Sequence, residues 1–244
     1  MSYQLAVDIG NTRTKLGLFK KRELLQSKEL NNTDISKNNL LFEAYEPEWA
    51  IVSSVNKKVE DELELEKQCS NLIRLTYQTP LPINLLYQSP ETLGKDRIAS
   101  AVAAHNKFPN ENVLAIDAGT CITYDIVNKR GDYLGGAITP GVQMRLKSMN
   151  DYTDALPLIH WDGQLIPKDI GNTTITSILS GVVNGCIGEM NGFIEAYERQ
   201  YKKLLVVLTG GDANFFEKAL KNGIFADPNL VLLGLNEILL HNCD

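Results

Sequence analysis

The stretch Leu5 to Phe19, LAVDIGNTRTKLGLF, constrains the fold more than any other part of the chain. Apolar residues run up to Asp8, a turn of Gly10, Asn11 and Thr12 follows, and apolar residues resume at Leu16, which predicts two strands joined by a tight polar turn. The pattern recurs about a domain later. Val113 to Asp117 is again apolar and ends in Asp, Ala118, Gly119 and Thr120 follow, and Ile122 to Val127 resumes a strand. One copy reads equally as an ordinary hairpin tip or as a grip for phosphate. Two copies suggest internal duplication, with an N-terminal half over 1–112 and a C-terminal half over 113–244.

The first turn is rich in phosphate donors: Gly10 for close backbone approach, hydroxyls on Thr12 and Thr14, and the cations Arg13 and Lys15. Asp8, at the strand end beside Ile9, is placed to hold a metal-bound water. Gly94-Lys95-Asp96-Arg97 opens a run of small and apolar residues, Arg97 to Asn106, and so marks a helix N-terminus where an anion is favoured. Asp96 there is either a helix cap or a catalytic carboxylate, and the two roles are compatible. Leu204 to Leu208 is a fully apolar strand leading into Thr209-Gly210-Gly211-Asp212, either a plain sharp turn or a place where an adenine ring meets the backbone. The turns at Asp8, Asp117 and Gly210 are therefore expected to converge on one nucleotide, with Asp96 facing an acceptor hydroxyl. That division of labour suits phosphoryl transfer, which needs charge stabilisation and positioning more than covalent chemistry.

Between these motifs the pattern predicts a third strand at Leu24–Glu29, a polar loop and short helix over 31–41, and a strand at Trp49–Val55. One helix is expected over Lys57–Gln68, a strand at Ile73–Thr76, and then a proline-broken loop to Gly94. Gly135 to Gly141 is a glycine-rich edge before a helix at Val142–Met149. Tyr152 to Asp169 is a long irregular connection in which His160 and Trp161 read as packing residues. A helix to about Tyr201 carries Gly181, Gly185, Gly188 and Gly192. Each glycine costs roughly 1 kcal/mol relative to alanine, so close helix packing or a subunit contact is expected to offset them. Asn229–Leu233 reads as a short strand or loop and Leu235–Leu240 as a helix.

A net charge of −6 over 244 residues argues against a nucleic-acid partner, which calls for a basic face. Cys69, Cys121, Cys186 and Cys243 are scattered without a paired motif, so they read as packing residues in a reducing compartment. Met1 leads straight into the first strand, leaving no room for a signal peptide, and no apolar run approaches the ~20 residues of a membrane span. A cytoplasmic protein without membrane association is expected.

Taken together, the motifs resemble those of type III pantothenate kinases, in the acetate and sugar kinase/Hsp70/actin superfamily. The resemblance runs essentially end to end: DxGNTxxxxG at Asp8–Gly17, GxDR at Gly94–Arg97, DAGT at Asp117–Thr120, GGxIxPG at Gly135–Gly141, and a glycine pair at Gly210–Gly211. It implies an α/β fold of two RNase H-like (actin-like ATPase) domains with ATP in the cleft between them, and transfer of the γ-phosphoryl to pantothenate, the first step towards coenzyme A. By the same resemblance Asp96 is the general base, and Tyr87, Gly94, Lys95 and Arg97 line the pantothenate pocket. Thr174 is a substrate contact at a homodimer interface, Thr120 an ATP contact, and Asp117 a ligand of K⁺ or NH₄⁺. Mg²⁺ accompanies ATP, with Asp8 acting through its hydration shell. Thr173 and Thr174 are adjacent, so either fits the substrate contact. Two other readings share the fold logic, a hydrolase in which water replaces the acceptor and a nucleotide-sensing regulator, but intact Asp8, Asp96 and Asp117 are more than a regulator needs.

Overall fold

The computed structural model describes residues 3–37, 42, 45–220 and 223–243. In chain order the elements begin with strands β1 (Tyr3–Ile9), β2 (Arg13–Lys20) and β3 (Glu23–Asn31). A 3-10 turn at Asn32–Lys37 precedes β4 (Pro47–Ser54), α1 (Lys57–Leu63), α2 (Leu65–Gln68) and β5 (Asn71–Arg74). Then come β6 (Asn84–Leu85), a 3-10 turn at Pro90–Thr92, α3 (Lys95–Lys107), β7 (Asn112–Ala118), β8 (Cys121–Val127) and β9 (Asp132–Pro140). The chain continues with α4 (Val142–Asp151), α5 (Thr174–Leu179), a π segment at Ser180–Asn184 and α6 (Gly185–Gln200). It ends with β10 (Leu204–Thr209), α7 (Ala213–Ala219), β11 (Ile224–Ala226) and α8 (Leu230–His241).

Several expectations are corrected. The single helix over Lys57–Gln68 is two, because Glu64 adopts a left-handed conformation (φ 46°) and resets the helix axis. The strand or loop at Asn229–Leu233 belongs to α8, whose buried Leu230, Val231, Leu232, Leu235, Ile238 and Leu239 form an apolar run that reads alike as strand or helix. Short β6, inside the proline-broken loop, and short β11 carry no strand signal in the sequence. Residues 38–41 of the expected loop lie outside those described.

The chain forms two compact units, residues 1–107 with 131–133 and 229–244, and residues 108–130 with 134–228. The final helix thus joins the first unit, not the second half of the sequence as a division at 112/113 would have it. Within the first unit the strand order is β3-β2-β1-β4-β5, with β1 antiparallel to β2 and parallel to β4. The second unit repeats this order as β9-β8-β7-β10-β11, with β7 antiparallel to β8 and parallel to β10. The duplicated Asp-x-Gly signal is therefore duplicated in topology as well. β6 pairs in parallel with Asp132 and Tyr133 at the start of β9, all within the first unit.

Alternation along β1 decides where Asp8 points. Leu5, Val7 and Ile9 enter a core with Leu16, Ile35, Phe42, Val52, Val59 and Leu63, so the intervening residues face the opposite side, where α3 and α8 pack. In the second unit Leu114, Ile116, Tyr124, Val142, Val183, Met190 and Phe216 share one core, and Trp161 packs edge-on to Phe215 at 4.6 Å. Trp161 is thus a packing residue, while His160 is exposed. Among the described residues no helix is long and apolar enough to cross a membrane.

The α3–α8 contact is close: a Cβ on Gly234 would lie 1.8 Å from the Ala99 carbonyl oxygen. Gly234→Ala must separate the two helices, and we expect it to destabilise the protein by about 1–3 kcal/mol, the usual cost of overpacking. A urea midpoint equal to that of the parent chain would show that the joint has slack.

Candidate functional site

In the first unit the Asp8 hairpin is fastened from a distance. Gly10 N–H donates to the Arg13 carbonyl at 3.0 Å. Asn32 Nδ2 donates to the Gly10 carbonyl at 2.9 Å and to that of Asn11 at 3.2 Å, and its Oδ1 accepts from Thr14 Oγ1 at 2.8 Å. Its backbone N–H closes the set on Thr12 O at 3.0 Å. In the sequence Asn32 shows no more than a polar side chain following a strand. The fastening also sorts the expected phosphate donors. Asn11, Thr12 and Arg13 are exposed, Arg13 pairing with Glu29, and Lys15 is half-buried opposite Asp8. Thr14 is fully buried with its hydroxyl given to Asn32, and the Ile9 side chain lies in the core, so neither side chain faces a ligand.

Strand register sets Asp8 beside Ser53 of β4, whose hydroxyl donates to it. Asp8 keeps some accessible surface but lies deep. Burial first, and the negative charge of Asp96 second, push its carboxyl up to about 6, against the smaller opposing effects of Ser53 and Lys15. The sign of the linkage follows. A raised carboxyl pKa contributes stability that is present below about pH 4 and lost as pH rises through about 6, because the folded chain then carries a charge it disfavours. A bound cation offsets that cost.

Asp96 sits inside the first turn of α3 and not at its cap; its Oδ1 accepts the Arg97 N–H at 2.8 Å. Gly94 is what allows this, since a Cβ there would meet Asp96 Oδ1 at 2.5 Å. Lys95 Nζ donates to the Ser54 carbonyl at 3.1 Å, tying the start of α3 to the end of β4, the strand that carries Ser53. Arg97 is buried with its guanidinium 5.9 Å from the Tyr87 ring centre, and Tyr87 packs on Tyr133 at 6.0 Å. The first unit therefore brings Asp8, Lys15, Gly94, Lys95 and Asp96 together, and pairs Arg97, the residue after Asp96, with Tyr87.

The second unit gathers the other motifs. The Asp117 turn is shorter than its counterpart and closes by Gly119 N–H to Cys121 O at 2.9 Å. Gly210 (φ +98°) lies against it, where a Cβ would stand 2.3 Å from Ala118 O and 2.5 Å from Asp117 Oδ1. Asp212 N–H donates to Ala118 O at 2.9 Å, and Gly141 N–H donates to Thr120 O at 3.0 Å. The Asp117, Gly210 and Gly141 segments thus meet, with Thr120 exposed at their edge. At the start of α5, Thr173 Oγ1 caps the helix by accepting Thr176 N–H at 3.2 Å, while Thr174 is exposed and lines an open hollow of about 770 Å³ with Met149, Leu156 and Ile178.

Taken by itself, the first unit offers a carboxylate pair and a glycine-bearing turn with cations, groups suited to a hydroxyl proton and to phosphate oxygens, and the second unit offers an Asp turn closed against a glycine turn. Comparison with known proteins gives this chemistry a family. The family model for type III pantothenate kinase matches residues 4–196. A type III pantothenate kinase of Bacteroides fragilis is 44% identical over 239 residues, covering 98% of each chain. Among solved structures, one from Campylobacter jejuni described as a Baf family transcriptional activator superposes with a TM-score of 0.64 at 22% identity over 98% of both chains. A ROK family glucokinase from Streptomyces griseus, in complex with glucose and AMPPNP, superposes with a TM-score of 0.53 at 10% identity, covering 99% of this chain and all of that one. At these identities the two structures speak for the fold alone, the two-domain α/β fold of actin-like ATPases. Through the family model and the full-length relative, the chain belongs to the type III pantothenate kinase family.

Proposed function

We propose that the protein is an ATP-dependent pantothenate kinase, transferring the γ-phosphoryl of ATP to the primary hydroxyl of pantothenate to give 4′-phosphopantothenate, the first step of coenzyme A biosynthesis. The family match carries this reading. Asp96 is the general base: it takes the hydroxyl proton as the new O–P bond forms, while the bond from the γ-phosphorus to the β,γ-bridging oxygen breaks and its electron pair leaves with ADP. Tyr87, Gly94, Lys95 and Arg97 line the pantothenate pocket, the Arg97 guanidinium suiting the carboxylate of the acceptor. Asp8 to Lys15 grip the phosphates, with Ile9 and Thr14 acting through backbone and scaffold. Thr120 contacts ATP. Thr174 is our candidate for the substrate contact, a choice supported by the cap bond that the Thr173 hydroxyl already makes.

Mg²⁺ bound with ATP neutralises charge that develops on the phosphates. Asp8 fits it through water: its carboxyl is disfavoured as an anion next to Asp96, and a nearby cation restores that form. Asp117, a hard oxygen donor among backbone carbonyls, is our candidate for a K⁺ or NH₄⁺ ligand. The two repeats are RNase H-like domains dividing near residue 112, with α8 added to the first. Four free cysteines agree with a cytoplasmic enzyme.

The same reading includes a homodimer. Among the described residues, Gly181, Gly185, Gly188 and Gly192 have nothing within 4 Å of a would-be Cβ, so no contact seen there offsets their cost. A second copy along this helix does.

With Mg·ATP and K⁺ present, ADP release should depend on pantothenate, and Asp96→Asn should lower kcat by about 10² or more while ATP still binds. Release independent of pantothenate would contradict the activity, and unchanged turnover in the variant would remove Asp96 from its role. Gly188→Ala should weaken the dimer in sedimentation. If the helix instead faces solvent, the variant stays as it was and gains about 1 kcal/mol of stability.

A further inference from the structure

Four elements of the second unit converge on a single carboxylate that the mechanism above does not use. Glu189, in α6, receives Arg145 Nη2 from α4 on both oxygens, each at 2.8 Å. Its Oε1 also accepts Thr139 Oγ1 from β9 at 2.7 Å and Tyr124 OH from β8 at 3.3 Å. Arg145 then reaches back: its Nε donates to the Pro140 carbonyl at 2.7 Å. Burial and the neighbouring Glu189 charge hold the Tyr124 phenol protonated, which keeps it a donor.

The residue after this clamped pair is Gly141, and it has no slack. Its N–H is bound to Thr120 O at 3.0 Å, and a Cβ on it would lie 2.1 Å from Gly119 O and 2.7 Å from Thr120 O. A shift of Pro140 is therefore passed directly to Gly119 and Thr120. Loss of any exposed ion pair changes little, but this pair is roughly three-quarters buried on both sides and sits at the end of a rigid lever. We infer that Glu189 and Arg145 are positioning residues for ATP: they clamp Thr139–Pro140 so that Gly141 holds the Asp117–Thr120 turn in its phosphate-binding shape.

The inference rests on the reading of that turn as a phosphate grip, and the experiment separates the two. Steady-state kinetics of Glu189→Gln and Arg145→Lys would be compared with direct ATP binding by Asp117→Asn, with thermal unfolding followed for each. Both clamp variants should raise KM for ATP about 10- to 10²-fold, since small misplacements are costly, and leave KM for pantothenate nearly unchanged. The double variant should be no worse than the weaker single one. An unchanged KM for ATP in both, or KM values for both substrates rising together with a lowered Tm, overturns the positioning role. If Asp117→Asn also binds ATP as the parent does, the phosphate reading falls first and takes the clamp with it.

Discussion

The first unit is arranged around an unfavourable pairing: two carboxylates, Asp8 and Asp96, within electrostatic reach of each other at a site that burial makes hostile to charge. Chain geometry, not attraction, brings them there. Alternation in β1 turns Asp8 to the helix side of the sheet, Gly94 leaves room for Asp96 to fold back at the start of α3, and Lys95 anchors that start to the end of β4. Ser53 and Lys15 ease the cost without removing it. Asp8, disfavoured as an anion in this place, is poised for a cation that restores its charge.

Much of this was legible in the sequence because it was local. An apolar run ending in Asp, a glycine two residues on and a resumed apolar run dictate a strand, a turn and a strand wherever they occur, and the repeat at Asp117 dictates them twice. Topology then extends the repeat beyond the motif, to five strands in the same order in each unit. What escaped was non-local. Asn32 fastens the first turn from the far end of β3, and Ser53 reaches Asp8 only through the parallel register of β4. Nothing in the spacing of Arg145 and Glu189 announces that they meet, because α4 and α6 are separated by a long stretch without regular structure.

Other misreadings have local causes. Glu64 breaks a helix by adopting a backbone conformation that Glu rarely takes, so composition gave no warning. The apolar start of α8 fits strand and helix equally, and the packing of Gly234 on Ala99 decides it. That packing also explains why a helix at the end of the chain belongs to the unit at its beginning: α3 presents a small-residue face, Ala99, Ala103 and their neighbours, which only a partner of the right shape can cover. Among the described residues the glycines of α6 have no such partner, unlike Gly10, Gly141 and Gly210 in the turns.

The coupling of Asp8 to Asp96 is open to direct measurement by following the Asp8 carboxyl carbon by NMR through a pH titration of ¹³C-aspartate-labelled protein, in the parent and in Asp96→Asn. The parent resonance should titrate near pH 6, and the variant lower, though still above the ordinary carboxylate range because burial, the larger cause, remains. The same midpoint in both proteins would mean that the two carboxylates do not share a site.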